Sequence, residues 1–115
     1  MKLKTKKKII DLNTIVKEDL EFKLLDGKIV KVPGELSTKF VLELTALQEK
    51  AQKANGFEDE LNVLIDMTTL VLSQDKKANI TREYVQENLN DLKIMQLIIT
   101  SAVEHIENIA NDKNL

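Results

Sequence analysis

One histidine, His105, no cysteine and 19 carboxylates are the raw material for chemistry in this sequence of 115 residues. A hydrolase or transferase needs a nucleophile with a base in reach. His105 stands alone, and no thiol exists to attack a substrate, ligate zinc or form a disulfide. In its expected helix His105 falls off the main apolar stripe and nearer to Ile94 and Ile98, which reads as an exposed or interface side chain rather than a catalyst. Glu83 with Glu87, and Glu104 with Asp112, are carboxylate pairs with neither a glycine-rich loop nor a histidine ligand beside them, and they read as solvated. The run Glu58-Asp59-Glu60 falls at an expected helix start, where carboxylates meet the positive end of the helix dipole, and that reading is preferred to a metal site. There is no G-x-x-x-x-G-K-[ST] phosphate loop, no G-x-G-x-x-G fingerprint and no metal-spaced Cys/His set. The sequence therefore predicts no enzyme, no catalytic or metal-binding residues and no cofactor.

Charge narrows the field of partners. Lys2, Lys4, Lys6, Lys7 and Lys8 crowd the start of a chain whose net charge is −2, leaving 12 basic against 19 acidic side chains in the rest. An acidic body repels phosphate backbones, so nucleic-acid binding would rest on the lysines alone, and residues 1–8 read as a solvated, flexible tail. A helix-turn-helix over Thr81 to Ala110 fits in outline only. Its second helix would begin Asp91-Leu92-Lys93-Ile94-Met95-Gln96-Leu97-Ile98-Ile99, too apolar to read base edges. The apolar run Ile9-Ile10-Asp11-Leu12-Asn13 is too short for a signal peptide or membrane span, which together with the missing cysteines fits a cytoplasmic protein.

The elements that must position any binding surface can be read from spacing. Aromatics make up 3% of the chain, and one proline and three glycines punctuate it, so Leu, Ile, Val, Met and Ala must build a helical core. Residues 9–110 are expected to form one mainly α domain, a compact set of about four helices with an N-terminal β-hairpin packed against it, and 111–115 a frayed end. Residues 20–32 predict the hairpin, with Asp26-Gly27 supplying the positive-φ turn. A three-residue loop Leu25-Asp26-Gly27 sets Leu24 opposite Lys28, Phe22 opposite Val30 and Leu20 opposite Val32. It gathers Leu20, Phe22, Leu24, Val30 and Val32 on one face, with Glu21 opposite Lys31 on the other. A third strand at Lys8 to Leu12 would give the pair more support.

Ser37 is expected to cap a first helix running to Ala54, with Leu36 stapled onto Val41 and Phe40, Leu44, Leu47, Ala51 and Ala54 on one stripe. Asn55 with Glu58 resembles a capping box opening a second helix, Phe57 to Ser73. Two apolar faces, Phe57, Leu61, Leu64, Val71 and Leu72 against Val63, Met67 and Leu70, predict that this helix is central. After a polar loop at Gln74 to Asn79, Thr81 caps a short helix to Leu89, with Ile80 stapled onto Val85. The corner Leu89-Asn90-Asp91 leads into a last helix ending near Ala110. Leu92, Met95, Ile99, Ala102, Val103, Ile106 and Ala110 form its core stripe, and Ile94, Leu97 and Ile98 lie off it. That surplus either packs inside the domain, against the hairpin or the second helix, or is offered to a partner. Ile94, Leu97 and Ile98 are thus the candidate protein-binding residues.

Two passages carry a family resemblance. Lys23-Leu24-Leu25-Asp26-Gly27-Lys28-Ile29-Val30-Lys31-Val32-Pro33, followed by an acidic and apolar helix, is similar to the start of many small tail assembly chaperones of long-tailed bacteriophages. Ile80-Thr81-Arg82-Glu83-Tyr84-Val85-Gln86-Glu87-Asn88-Leu89-Asn90, followed by Leu92-Lys93-Ile94-Met95-Gln96-Leu97-Ile98, resembles the pattern I-T-x-E-[hydrophobic]-x-x-E-N-L near their C-terminus. The resemblance spans most of residues 20–108, and the Lys-rich start lies outside it. It implies a phage or prophage protein of the host cytoplasm that binds the tape-measure protein, with tail-tube subunits as further partners, and leaves before the virion is complete. A structural or adaptor subunit forming homo-oligomers is the alternative, and a small regulator touching DNA through Lys2 to Lys8 ranks below it.

Overall fold

A computed structural model describes residues 8–9, 11, 18–34 and 36–110. Strands β1 (Leu20–Lys23) and β2 (Ile29–Val32) precede helices α1 (Thr38–Gln52), α2 (Phe57–Leu72), α3 (Arg82–Asn88) and α4 (Leu92–Ala110). The mainly helical domain with an N-terminal hairpin packed against it is the architecture that the apolar spacing predicts.

The strands pair antiparallel with Leu20 opposite Val32, Glu21 opposite Lys31, Phe22 opposite Val30 and Lys23 opposite Ile29, in the expected register. Gly27 takes φ +90°, a conformation that side chains rarely adopt, and the loop closes through Leu24 N–H to the Lys28 carbonyl at 2.8 Å. Leu24, Val30 and Val32 are buried, and Leu20 and Phe22 pack half-exposed against the same core. Two aspartates tie the hairpin's ends and edge. The Gly34 N–H donates to Asp19 Oδ1 at 2.8 Å, and the Lys31 N–H donates to Asp75 Oδ2 at 2.8 Å from the α2–α3 connection. Residues 8, 9 and 11 belong to no regular element, and the rest of the expected third strand, like the lysines before residue 8 and the end at 111–115, lies outside the described residues.

α2 is the central helix, packed against α1, α3, α4 and β2. Val63, Ile65, Met67, Val71 and Leu72 are buried, and so is Thr68, whose hydroxyl is satisfied by donating to the Leu64 carbonyl at 2.8 Å. Ser37 caps α1 by accepting the Phe40 N–H at 3.1 Å, and Thr81 caps α3 by accepting the Tyr84 N–H at 3.1 Å, both as expected. The start of α2 differs. Its N-cap is Gly56, at φ +93° and ψ 169°, with no side-chain cap, so Asn55 and Glu58 do not form the predicted capping box. The chain enters α2 through a conformation open mainly to glycine, and Phe57, placed in the sequence on a core face, is left 63% exposed. α1 follows the sequence reading: Phe40 and Leu44 are buried, and Leu47, Ala51 and Ala54 are half-buried behind them.

Candidate protein-binding groove

The three residues singled out on α4 do not share one fate. Ile98 is 4% exposed and belongs to the core with Met95, Ile99 and Ala102; Ile94 is half-buried; Leu97 is 66% exposed. Leu92, expected in the core, sits at the helix start, more than a third exposed. The inward face of α4 is therefore rotated from the predicted stripe toward Ile98. α4 packs chiefly on α2 and also touches β1, and the hairpin residues face Ile94, Leu97 and Ile98 across a gap.

That gap is a groove. Phe22, Lys23, Leu24 and Leu25 line it on one side, and Leu89, Ile94, Leu97 and Ile98 on the other, enclosing about 180 Å³. Leu24, Leu89 and Ile98 are its buried floor; Phe22 and Ile94 are half-buried walls; Leu25, 72% exposed, and Leu97 stand at the rim. The one charged residue in the lining is Lys23. Small-molecule sites usually run from roughly 300 to 1,000 Å³. A space of this size with apolar walls suits one or two side chains of a protein partner.

Both walls are held by polar contacts. Asp26 at the hairpin tip accepts the Tyr84 hydroxyl at 2.7 Å with one carboxylate oxygen and the Lys28 N–H at 2.9 Å with the other. The Lys28 ammonium lies 4.8 Å from the centre of the Tyr84 ring. The Tyr84 hydrogen bond, then the Lys28 N–H, hold the Asp26 carboxyl below its usual range. Burial, then Asp26, push the Tyr84 phenol up to about 12. On the other wall Asp91 caps α4, its Oδ1 accepting Lys93 N–H at 2.9 Å and Ile94 N–H at 3.2 Å, which fixes where Ile94 and Leu97 emerge. The 23–33 and 80–98 stretches of sequence thus meet, through Asp26 and Tyr84, and their side chains, with Phe22, make the groove between them.

No family model, curated protein or solved structure matches this chain. What the groove can do therefore rests on its own geometry.

Other candidates offer less. His105 is half-buried, and among the described residues its buried Nε2 has no hydrogen-bond partner. Glu83, Glu87 and Glu104 are exposed, and Asp112 lies outside the described residues. Glu58, Asp59 and Glu60 occupy the first turn of α2, fully in water. Among the described residues no cluster of three or more His, Cys, Asp or Glu is placed to hold a metal ion, and no helix is long and apolar enough to cross a membrane. Two open clefts of about 510 and 490 Å³ run along the α1–α2 seam. Asp66, which both share, is taken up by Arg82, whose Nε donates to it at 2.8 Å while its other nitrogen reaches Asn62 at 3.1 Å.

The hairpin's part in the groove was not read from the sequence, although one signal existed. Leu25 is a large apolar residue in a turn, where polar residues are the rule, and nothing inside the hairpin can cover it.

Proposed function

We infer that this protein is a binding protein of the tail assembly chaperone kind, which covers an apolar seam of the tape-measure protein while a phage or prophage tail is built. Tail-tube subunits are the second candidate partner. The observation that carries the reading is the groove itself. All of its lining but Phe22 comes from the two passages that resemble those chaperones, and Leu25 and Leu97 stand exposed at its rim. A long helical chain with an apolar seam aggregates unless the seam is covered, and an amphipathic helix laid into an apolar groove is a common way to cover it. The role places the protein in the host cytoplasm and leaves it out of the finished virion.

The test is co-expression with the adjacent long, helix-rich reading frame. Retention of that product in soluble form, only when this chain is present, supports the reading. Equal solubility without it, and no co-purification, removes it.

A further inference from the structure

We propose that, when no client is bound, the groove of one molecule receives Phe57 of a second copy, in a head-to-tail contact. The inference needs the groove but not the identity of the client.

Phe57 is the projecting half of the contact. It is the first residue of α2 and 63% exposed, held out from its own core by the positive-φ Gly56 before it. A lone exposed phenylalanine on a helix terminus is apolar surface that the fold leaves uncovered. The groove is the receiving half. Its volume, about 180 Å³, suits an aromatic side chain, and its floor and walls are aliphatic or aromatic.

Charge selects this occupant. Phe57 is followed by exposed Glu58, Asp59 and Glu60. Asp59 shares the α1–α2 cleft with Lys50 and Lys53, which leaves Glu58 and Glu60 to face a partner. Across the contact, Lys23 lines the groove, and exposed Lys93 stands one helical turn before Leu97 on α4. Glu58 and Glu60 beside the aromatic knob thus meet Lys23 and Lys93 beside the apolar hole, where the neighbouring carboxylates are already engaged, Asp26 by the Tyr84 hydroxyl and Lys28 N–H, and Asp91 by the Lys93 and Ile94 N–H groups.

No residue of the α1–α2 connection lines the groove, so knob and hole are different patches of the surface. Such a contact joins unlike surfaces and leaves a free knob at one end and a free hole at the other. It builds chains or rings rather than a closed two-fold dimer. One side chain and its flanking carboxylates make a small interface, so association is weak and belongs to the transient class.

The experiment is sedimentation equilibrium on the full chain, from about 10 µM to about 1 mM, where weak contacts populate. Wild type should show a mass that climbs with concentration past the dimer and falls back in high salt. Phe57→Ser removes the knob, and Leu97→Glu closes the hole with a repelling charge. Both positions are more than 60% exposed, so circular dichroism and thermal midpoint should match wild type. Each variant alone should stay monomeric, while their mixture should form a one-to-one dimer that grows no further, because only one intact knob and one intact hole remain. A monomeric wild type at the highest concentration, a mixture that stays monomeric, or self-association that survives in either variant alone overturns the proposal. Client capture by wild type in the same preparation is unaffected by that outcome, so failure here is separable from failure of the chaperone reading.

Discussion

The Tyr84 hydroxyl donates to Asp26 Oδ2 at 2.7 Å, joining residues 58 positions apart in the chain and fixing the hairpin tip to α3 beside the groove. Tyr84 is the only tyrosine, so its ionisation can be followed by ultraviolet absorbance without interference. It should titrate near pH 12. Asp26→Ala removes both the acceptor and its charge and should bring the midpoint down, though not fully to the ordinary value, because burial remains. The hydrogen bond favours neutral tyrosine in the folded state. Its contribution is present below the ordinary phenol value of about 10 and is lost as pH rises from there toward 12.

At the acid end the hairpin should loosen first. Asp26 is held below its usual range chiefly by the Tyr84 hydroxyl, and Asp75 chiefly by the Lys31 N–H. A carboxylate with a lowered folded pKa contributes stability above its unfolded value of about 3.9, and that contribution disappears as pH falls through the lowered value. Amide exchange at Lys28 and Lys31, corrected for intrinsic pH effects, should therefore lose protection below pH ~4 before α2 does. Asp75→Ala, which removes the acceptor, should show the Lys31 loss already at neutral pH. Equal protection in the variant would mean that the Asp75 contact does not hold the edge of β2.

Ile98 and Leu97 are neighbours in sequence with opposite expected behaviour. Ile98→Glu puts a charge into a core position and should cost about 3 kcal/mol or more, measured by urea unfolding. Leu97→Glu, at the rim, should stay within about 0.5 kcal/mol of wild type.

Gly56 is the other position where the backbone decides. At φ +93° and ψ 169° a Cβ meets no atom within 4 Å, so Gly56→Ala tests conformation without a steric clash. It should lower stability by about 1–3 kcal/mol. No change would mean that the entry to α2 relaxes to a conformation open to alanine.

Much of the fold was legible in the sequence because its determinants are local. Asp26-Gly27 sets the turn and alternation sets the register; Ser37 and Thr81 mark two helix starts; the double apolar face of α2 marks it as central. The misreadings are at places where distant packing decides. Ile98 lies off the helical stripe in projection, yet it joins the core of a helix that packs on α2 and touches β1. Leu92, the first residue of α4, is left exposed. Phe57 completes an apolar period on paper, but the turn at Gly56 starts α2 with that side chain beyond the edge of the core. The candidate site was half legible. Ile94, Leu97 and Ile98, singled out by the surplus of apolar residues on one helix, all line the groove, whereas Phe22, Leu24 and Leu25 join them through the docking of the hairpin.

The groove as a client-docking surface is most directly tested by co-expressing the adjacent long, helix-rich reading frame with wild type and with Leu97→Glu, and comparing the soluble client recovered with each. Wild type should hold the client in solution. Leu97→Glu, with an unchanged thermal midpoint and circular dichroism spectrum, should lose at least about tenfold in recovered client, the effect of roughly 1.4 kcal/mol in binding. Equal recovery with wild type and a folded Leu97→Glu variant would contradict the account and move the binding surface off the groove.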